Sequence, residues 1–188
     1  MTASDTTPPE LARQRIVLTV RDRSEAITQA RQYAAVLRAG GRNYAVLQMD
    51  AGWLSNLNVA HNLVLPACWQ LGIAAGTLLK RASALAERWS HGEQWLSQQL
   101  GRRPSELTTA ERRELLLLQA ALCEPEVLLI LPEWFSGPTE VSDLWWQMQN
   151  QYFDKYQWLH FAKHASPLLS DAQWQPGTLD AQGNIHVD

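Results

Sequence analysis

The sequence predicts an α/β domain, a parallel-sheet core that carries an inserted, mostly helical subdomain. Short β-branched or apolar runs alternate with amphipathic helical patterns near the start of the chain. From Leu54 to about Leu100 every signal turns helical, and the alternation then resumes. The 188 residues suit one domain around a sizeable core, with room for one insertion. The expected organisation is a flexible polar tail over 1–14 and a single domain over 15–188, whose helical subdomain covers about 54–122.

The first run, "RIVLTV" from Arg15 to Val20, mixes apolar with β-branched residues and reads as a strand. "SEAITQARQYAAVLRAGG" follows as a helix. Ser24 can cap it, Ile27, Ala30, Ala34 and Leu37 make one face, and Gly40 with Gly41 stops it. "NYAVLQ", 43–48, returns to strand, and such a connection is a right-handed crossover that brings the chain back alongside its start. Within the insertion Pro66, Gly72 and Gly92 act as punctuation, and "AAGTLLKRASALAERW" is the clearest amphipathic piece. Beyond it come a helix in "TTAERRELLLLQAAL", a buried strand in "EVLLIL", a helix in "VSDLWWQMQNQYFDKY" over 141–156 and a strand in "WLHFAKH". The last stretch, "LLSDAQWQPGTLDAQGNIHVD", has turn chemistry at Pro176-Gly177 and Gln182-Gly183-Asn184 around short polar strands, which predicts a small terminal hairpin.

Composition excludes several classes. A formal charge of -3 and a pI near 5.9, with arginines scattered along the chain, give no basic field for a phosphate backbone, so nucleic acid is not an expected partner. Cys68 and Cys123 sit in apolar settings without a CxxC pattern or a nearby histidine, which points to buried thiols rather than a disulfide framework or zinc site. No run approaches the ~20 apolar residues of a membrane-spanning helix, and 1–9 lacks a signal-peptide core, so a cytoplasmic chain is expected. The nine tryptophans are many for this length; those on polar segments, Trp53, Trp89 and Trp95, could mark a contact surface, although most are expected in the core.

In "AVLQMDAGWLSNLNVAHNLVLPACWQLG", Gln48 closes a strand, and Val59, Asn62, Pro66 and Gly72 follow through a hydrophobic loop and helix. Pro104, Glu106 and Leu107 lead into Leu107-Thr108-Thr109-Ala110-Glu111, and "ELLLLQAALCEP" runs on to Pro125. His164 follows the strand "WLHFAK". In order and spacing, from about Arg15 to the C-terminus, these segments resemble the ATP-binding subunit of an ABC transporter, with a flavour of the lipid-trafficking and toluene-tolerance importers. The resemblance implies a reduced P-loop NTPase-like sheet. It places Gln48 in the Q-loop, Thr108 in the LSGGQ signature, Glu133 near the catalytic glutamate and His164 at the switch histidine.

The departures from that pattern bear on chemistry. ATP binding in the family needs GxxxxGK(S/T), whose backbone N–H groups cradle the phosphates while the lysine reaches the β and γ oxygens. The matching slot here is "RDRSEA", Arg21 to Ala26, without a glycine, and the first lysine of the chain is Lys80. Arg21 or Arg23 could meet an anion at that helix start, but two arginines in a turn are far more often solvated. The Asp-Glu pair that holds Mg²⁺ and polarises water falls on Leu131-Pro132, or with a one-residue shift on Pro132-Glu133, and neither register supplies a metal ligand. Thr108-x-x-Glu111 reads better as a capping box than as a phosphate contact. His160 and His164 have metal-like spacing but lie on strand sequence, where they would not converge. Asp171 and Asp180 read as turn formers, and no Ser-His-Asp or Cys-His arrangement is recognisable.

The chain is therefore expected to be a pseudo-ATPase without cofactor or metal. In the family, the Q-loop surface and helical subdomain receive the membrane subunits. The resemblance accordingly implies a non-catalytic subunit or regulator of an ABC transport system, with Met49, Trp53, Leu54 and Leu57 as partner contacts. The implied partners are a membrane subunit, an intact ABC ATPase, or both, with a homodimer left open and a peripheral place at the inner face of the membrane. Its rivals are an asymmetric partner that completes an intact ATPase's nucleotide site through Thr108, a stand-alone interaction protein, and a nucleotide hydrolase with unorthodox phosphate binding.

Overall fold

A computed structural model of the chain describes residues 14–49, 53–89, 93–135, 156–163 and 174–187. The tail, the helix expected over 141–156, His164 and Asp171 lie outside the described residues, apart from Gln14 and Tyr156. In chain order the elements are β1 (Arg15–Thr19), α1 (Arg23–Ala39), β2 (Tyr44–Leu47), α2 (Val59–Leu71), α3 (Ala75–Arg88), α4 (Glu93–Leu100), α5 (Thr109–Leu122), β3 (Val127–Ile130), β4 (Gln157–Ala162), β5 (Gln175–Leu179) and β6 (Ile185–Val187). Among the described residues, no single helix is long and apolar enough to cross a membrane.

The strands form one sheet in the order β2-β3-β4-β1-β5-β6, parallel throughout except for the antiparallel β5-β6 pair. The expected adjacency of β1 and β2 is corrected, because β3 and β4 lie between them. The crossover rule sets hand and direction but not how many strands a helix steps over. Interior places go to β3 and β4, whose residues are buried on both faces, while β2 carries the exposed Val46 and takes the edge.

Alternate residues of each strand feed two cores. Ile16, Leu18, Val127, Leu129, Leu159 and Phe161 pack with Ala26, Ala30, Tyr33, Ala34 and Leu37 of α1. Val17, Ala45, Leu47, Leu128, Ile130 and Trp158 join the other core, which α2, α3, α4 and α5 fill with Leu63, Leu78, Leu85, Leu96, Leu115 and Leu118. Of the expected α1 face, Ala30, Ala34 and Leu37 are buried and Ile27 is partly so. Trp89 is buried in the helical core, and Trp53 and Trp95 pack against it. Cys123 is buried, which pushes its thiol up to about 12; Cys68 is half-buried, and both thiols are free.

Local chemistry moves two boundaries. α1 begins before Ser24, because Asp22 is its cap, with Oδ1 accepting from the Glu25 N–H at 2.9 Å. At its other end Gly41, at φ 69°, lets the Arg42 N–H reach the Leu37 carbonyl at 2.9 Å. Pro66 does not interrupt the insertion but sits inside α2. Proline has no N–H for the carbonyl four residues back, which here belongs to Asn62. Gln119 of α5 supplies the missing donor, its Nε2 lying 2.6 Å from the Asn62 oxygen.

The terminal hairpin forms as expected, but Pro176 and Gly177 lie within β5 and not in a turn. A Cβ on Gly177 would come 2.8 Å from Ile16 Cγ2 and 2.9 Å from the His186 oxygen, so only glycine fits between its neighbours. The turn belongs to Asp180, whose carboxylate accepts from the Gln182 and Asn184 N–H groups at 2.9 and 2.8 Å. Hydrogen bonds from the Asn184 side chain and backbone hold it well below the usual carboxylate range.

The Pro66–Gln119 relation is testable. Replacing Gln119 by Leu orphans a buried carbonyl and is expected to cost about 1–3 kcal/mol in urea unfolding. The same change should cost clearly less in a Pro66→Ala background, where residue 66 regains its N–H.

Candidate functional site

In open α/β sheets, ligands bind beyond the carboxyl ends of the strands, where helix N-termini offer N–H groups. In this chain that ground lies after β1 and β3. Only Val20, Arg21 and Asp22 separate β1 from α1, and the Val20 N–H is committed to the Ala162 carbonyl at 2.9 Å.

What closes the helix start is the chain's own acid. Besides the Asp22 cap, the Glu25 carboxylate accepts the Arg21 N–H at 2.7 Å and takes the Arg21 guanidinium through Nε at 3.1 Å and Nη2 at 3.2 Å. Hydrogen bonding to Arg21 lowers the Glu25 pKa, and the Arg21 value is raised by the same pair. The start of α1 thus carries the Asp22 and Glu25 carboxylates together with the exposed Arg21 guanidinium.

Glu133 stands on the far side of this ground. After β3, the Leu131 N–H makes one more ladder bond to Leu47 at 3.1 Å, and a 3-10 turn then covers Pro132–Phe135. The fully buried Trp134 anchors that turn in the helical core. The Glu133 carboxylate lies 3.4 Å from Arg23 Nε, so an arginine of α1 is its counter-charge. Both Glu133 carboxylate oxygens are buried and accept no hydrogen bond among the described residues. Among the described residues, no group of three His, Cys, Asp or Glu side chains converges to hold a metal ion.

Thr108 forms the expected capping box. Its Oγ1 accepts from the Glu111 N–H at 3.2 Å and donates to Glu111 Oε2 at 2.9 Å, while its own N–H reaches the same oxygen at 2.7 Å. Arg102 Nη1 binds the other oxygen of Glu111 at 2.8 Å and also reaches Gln99. The Arg102 hydrogen bond first, then the Thr108 N–H, bring the Glu111 pKa down to about 2. The Thr108 hydroxyl is thus engaged within its own turn.

His160 is buried on β4, its Nδ1 3.3 Å from the Ile130 oxygen and its ring edge-on to Trp174 at 6.0 Å. Burial lowers its pKa to about 4, as suits a neutral core imidazole.

The Q-loop region is built differently from a simple exposed loop. Gln48 is half-buried where β2 ends, and Met49 lies against α5 with Arg113 Nε 3.4 Å from its sulfur. Buried Asn62 fastens the following segment: its Oδ1 accepts the Leu54 N–H at 2.6 Å, and Nδ2 donates to the carbonyls of Leu54, Leu57 and Asn58 at 3.0 to 3.1 Å. Met49 and Trp53 turn toward the helical core, Leu57 is half-buried, and Leu54 stays 48% exposed. The structure adds Leu65 and Trp69, one turn apart on α2, with Trp69 86% exposed. Sequence reasoning passed over Trp69 because its neighbours are apolar. The available signal was that Ala51 to Leu79 contains no charged residue, although part of it is surface.

No family model matches the chain, and neither does any curated protein sequence. Among solved structures, the ATP-binding subunit of an ABC transporter superposes with a TM-score of 0.62 at 12% identity, over 88% of this chain and 74% of that one. A dimeric ATP-binding cassette in a post-hydrolysis state, bound to ADP and Pi, gives 0.55 at 8% identity, over 82% and 75%. The fold is that of ABC ATP-binding domains, a P-loop NTPase-like sheet with a helical subdomain.

The Glu111 cap sets a pH dependence. Its folded-state pKa lies below the ordinary 4.5, so its stabilisation is complete above that pH and is lost as pH falls toward 2. Glu111→Gln keeps an oxygen for the Thr108 N–H but loses the charge of the Arg102 pair, and should lower stability near neutral pH by less than about 1 kcal/mol. It should also flatten the dependence of the thermal midpoint over that acid window; an unchanged slope would show that the cap is not formed.

Proposed function

We propose that this chain is a non-catalytic ABC ATPase-like subunit or regulator of an ABC transport system, docking on transporter subunits without hydrolysing ATP. The observation that supports it is the closed start of α1. Asp22 and Glu25 occupy the helix end, and no loop exists between β1 and α1 to cradle phosphates. Phosphoryl transfer relies on positioning and charge neutralisation by backbone donors, a lysine and Mg²⁺. Glu133, paired with Arg23, cannot replace that set.

The docking part of the reading rests on the surface held by Asn62 and continued on α2. Leu54, Leu65 and Trp69 are exposed there within a segment without charged residues, the composition of an interface centre. The expected partner is a membrane subunit of a transporter, an intact ABC ATPase, or both.

Calorimetric titration with Mg²⁺ and ATP at millimolar concentration should give no binding heat; saturable binding would overturn the pseudo-ATPase reading. The tagged chain is expected to co-purify with transporter membrane subunits from detergent extracts of its own host. The Leu54→Ser, Trp69→Ser double variant should lose that association by tenfold or more while keeping its thermal midpoint. An unchanged yield would remove this surface from the interface. Thr108→Ala should leave the ATP turnover of any intact ATPase partner unaltered, because the hydroxyl is spent on its own helix cap.

A further inference from the structure

Among the described residues, the face of the sheet covered by α1 carries little cover at its edge strand. A half-open cleft of about 470 Å³ runs between α1 and β2, within the ~300–1,000 Å³ span of small-molecule sites. Ile27, Ala30, Ala34, Val46 and Leu131 give it an apolar floor, and its polar lining is Arg31, Arg38, Tyr44, Gln48 and Gln119. Among the described residues that line it, none is acidic.

The two arginines have different standing. Arg38 is tied down at the end of α1, its Nη2 donating to the Tyr44 hydroxyl at 2.6 Å and its guanidinium 6.0 Å from the Tyr44 ring centroid. Arg31 is exposed and has no recorded hydrogen bond or ion pair among the described residues. Two helical turns separate them, about 10 Å. Between them on the same face lie only the methyl groups of Ala34 and Ala35. A cation with no counter-charge among the described residues, at the rim of an apolar trough, suits a molecule with an anionic head and an apolar body.

We propose that the groove between α1 and β2 binds an amphiphilic anion, a carboxylate or phosphate head on an alkyl body. The head meets Arg31 in the forked geometry that guanidinium offers to such oxygens, and the body lies along Ala34, Ala35 and Val46 toward the Tyr44–Arg38 pair. The site is separate from the closed start of α1 and from the surface around Trp69, so it holds whether or not the chain docks on a transporter.

The test is calorimetric titration of the full chain with dodecanoate and with dodecyl phosphate below their micellar concentrations, beside dodecanol and dodecyltrimethylammonium. Either anion or both should bind saturably with one site per chain, and the phosphate-to-carboxylate ratio then identifies the preferred head. The neutral and cationic analogues should bind at least tenfold more weakly. Arg31→Ala should weaken the anions by tenfold or more, Arg38→Ala by less, and Ala35→Trp, at an exposed position, should block the trough without affecting folding. No saturable binding, equal binding of dodecanol, or unchanged affinity in both Arg31→Ala and Ala35→Trp would overturn the proposal.

Discussion

The constraint on which the rest of this structure depends is that its central strands are apolar on both faces. Val127, Leu128, Leu129 and Ile130 leave no side of β3 for water, and β4 is buried along its whole length. Such strands need a layer above and a layer below. One layer is the insertion with α5, which brings many apolar helical faces. The described part of the other is α1, whose small residues Ala26, Ala30 and Ala34 sit close on β1, β3 and β4. Among the described residues α1 meets the edge strand at Tyr44, through Arg38, while Val46 stays exposed, and the cleft between α1 and β2 lies there.

The same architecture lets an ABC ATPase-like fold form with the start of α1 capped by its own side chains. Packing of α1 on the sheet requires its buried stripe, not the loop that precedes it. The helix start can then be finished by Asp22 and Glu25, and the strand end after β3 by the anchor of Trp134, without disturbing either core. The Arg23–Glu133 pair links the start of α1 to the turn after β3. Fold and chemistry are separable here because they use different residues of the same elements.

The helical layer carries its own joint. Pro66 removes a donor from α2, Gln119 of α5 replaces it, and the side chain of the same Asn62 grips the loop that begins at Leu54. The position of the exposed Leu54 is thereby linked to the packing of α2 on α5. That surface is presented by a buried polar network with its hydrogen bonds satisfied, which favours one loop geometry over an ensemble.

Much of this was legible in the chain. The strand and helix runs, the glycine stop at Gly41, the Thr108–Glu111 box and the missing glycines after β1 each depend on residues within a few positions, and local sequence expresses such effects directly. The strand order, the place of Pro66 inside α2, the burial of Trp89, the exposure of Trp69 and the pairing of Arg23 with Glu133 were decided only in three dimensions. These depend on which surfaces meet across long sequence separations. Gln119 reaches Asn62, and Arg23 reaches Glu133, only because the sheet and its two layers bring them together, and no spacing rule along the chain encodes that meeting.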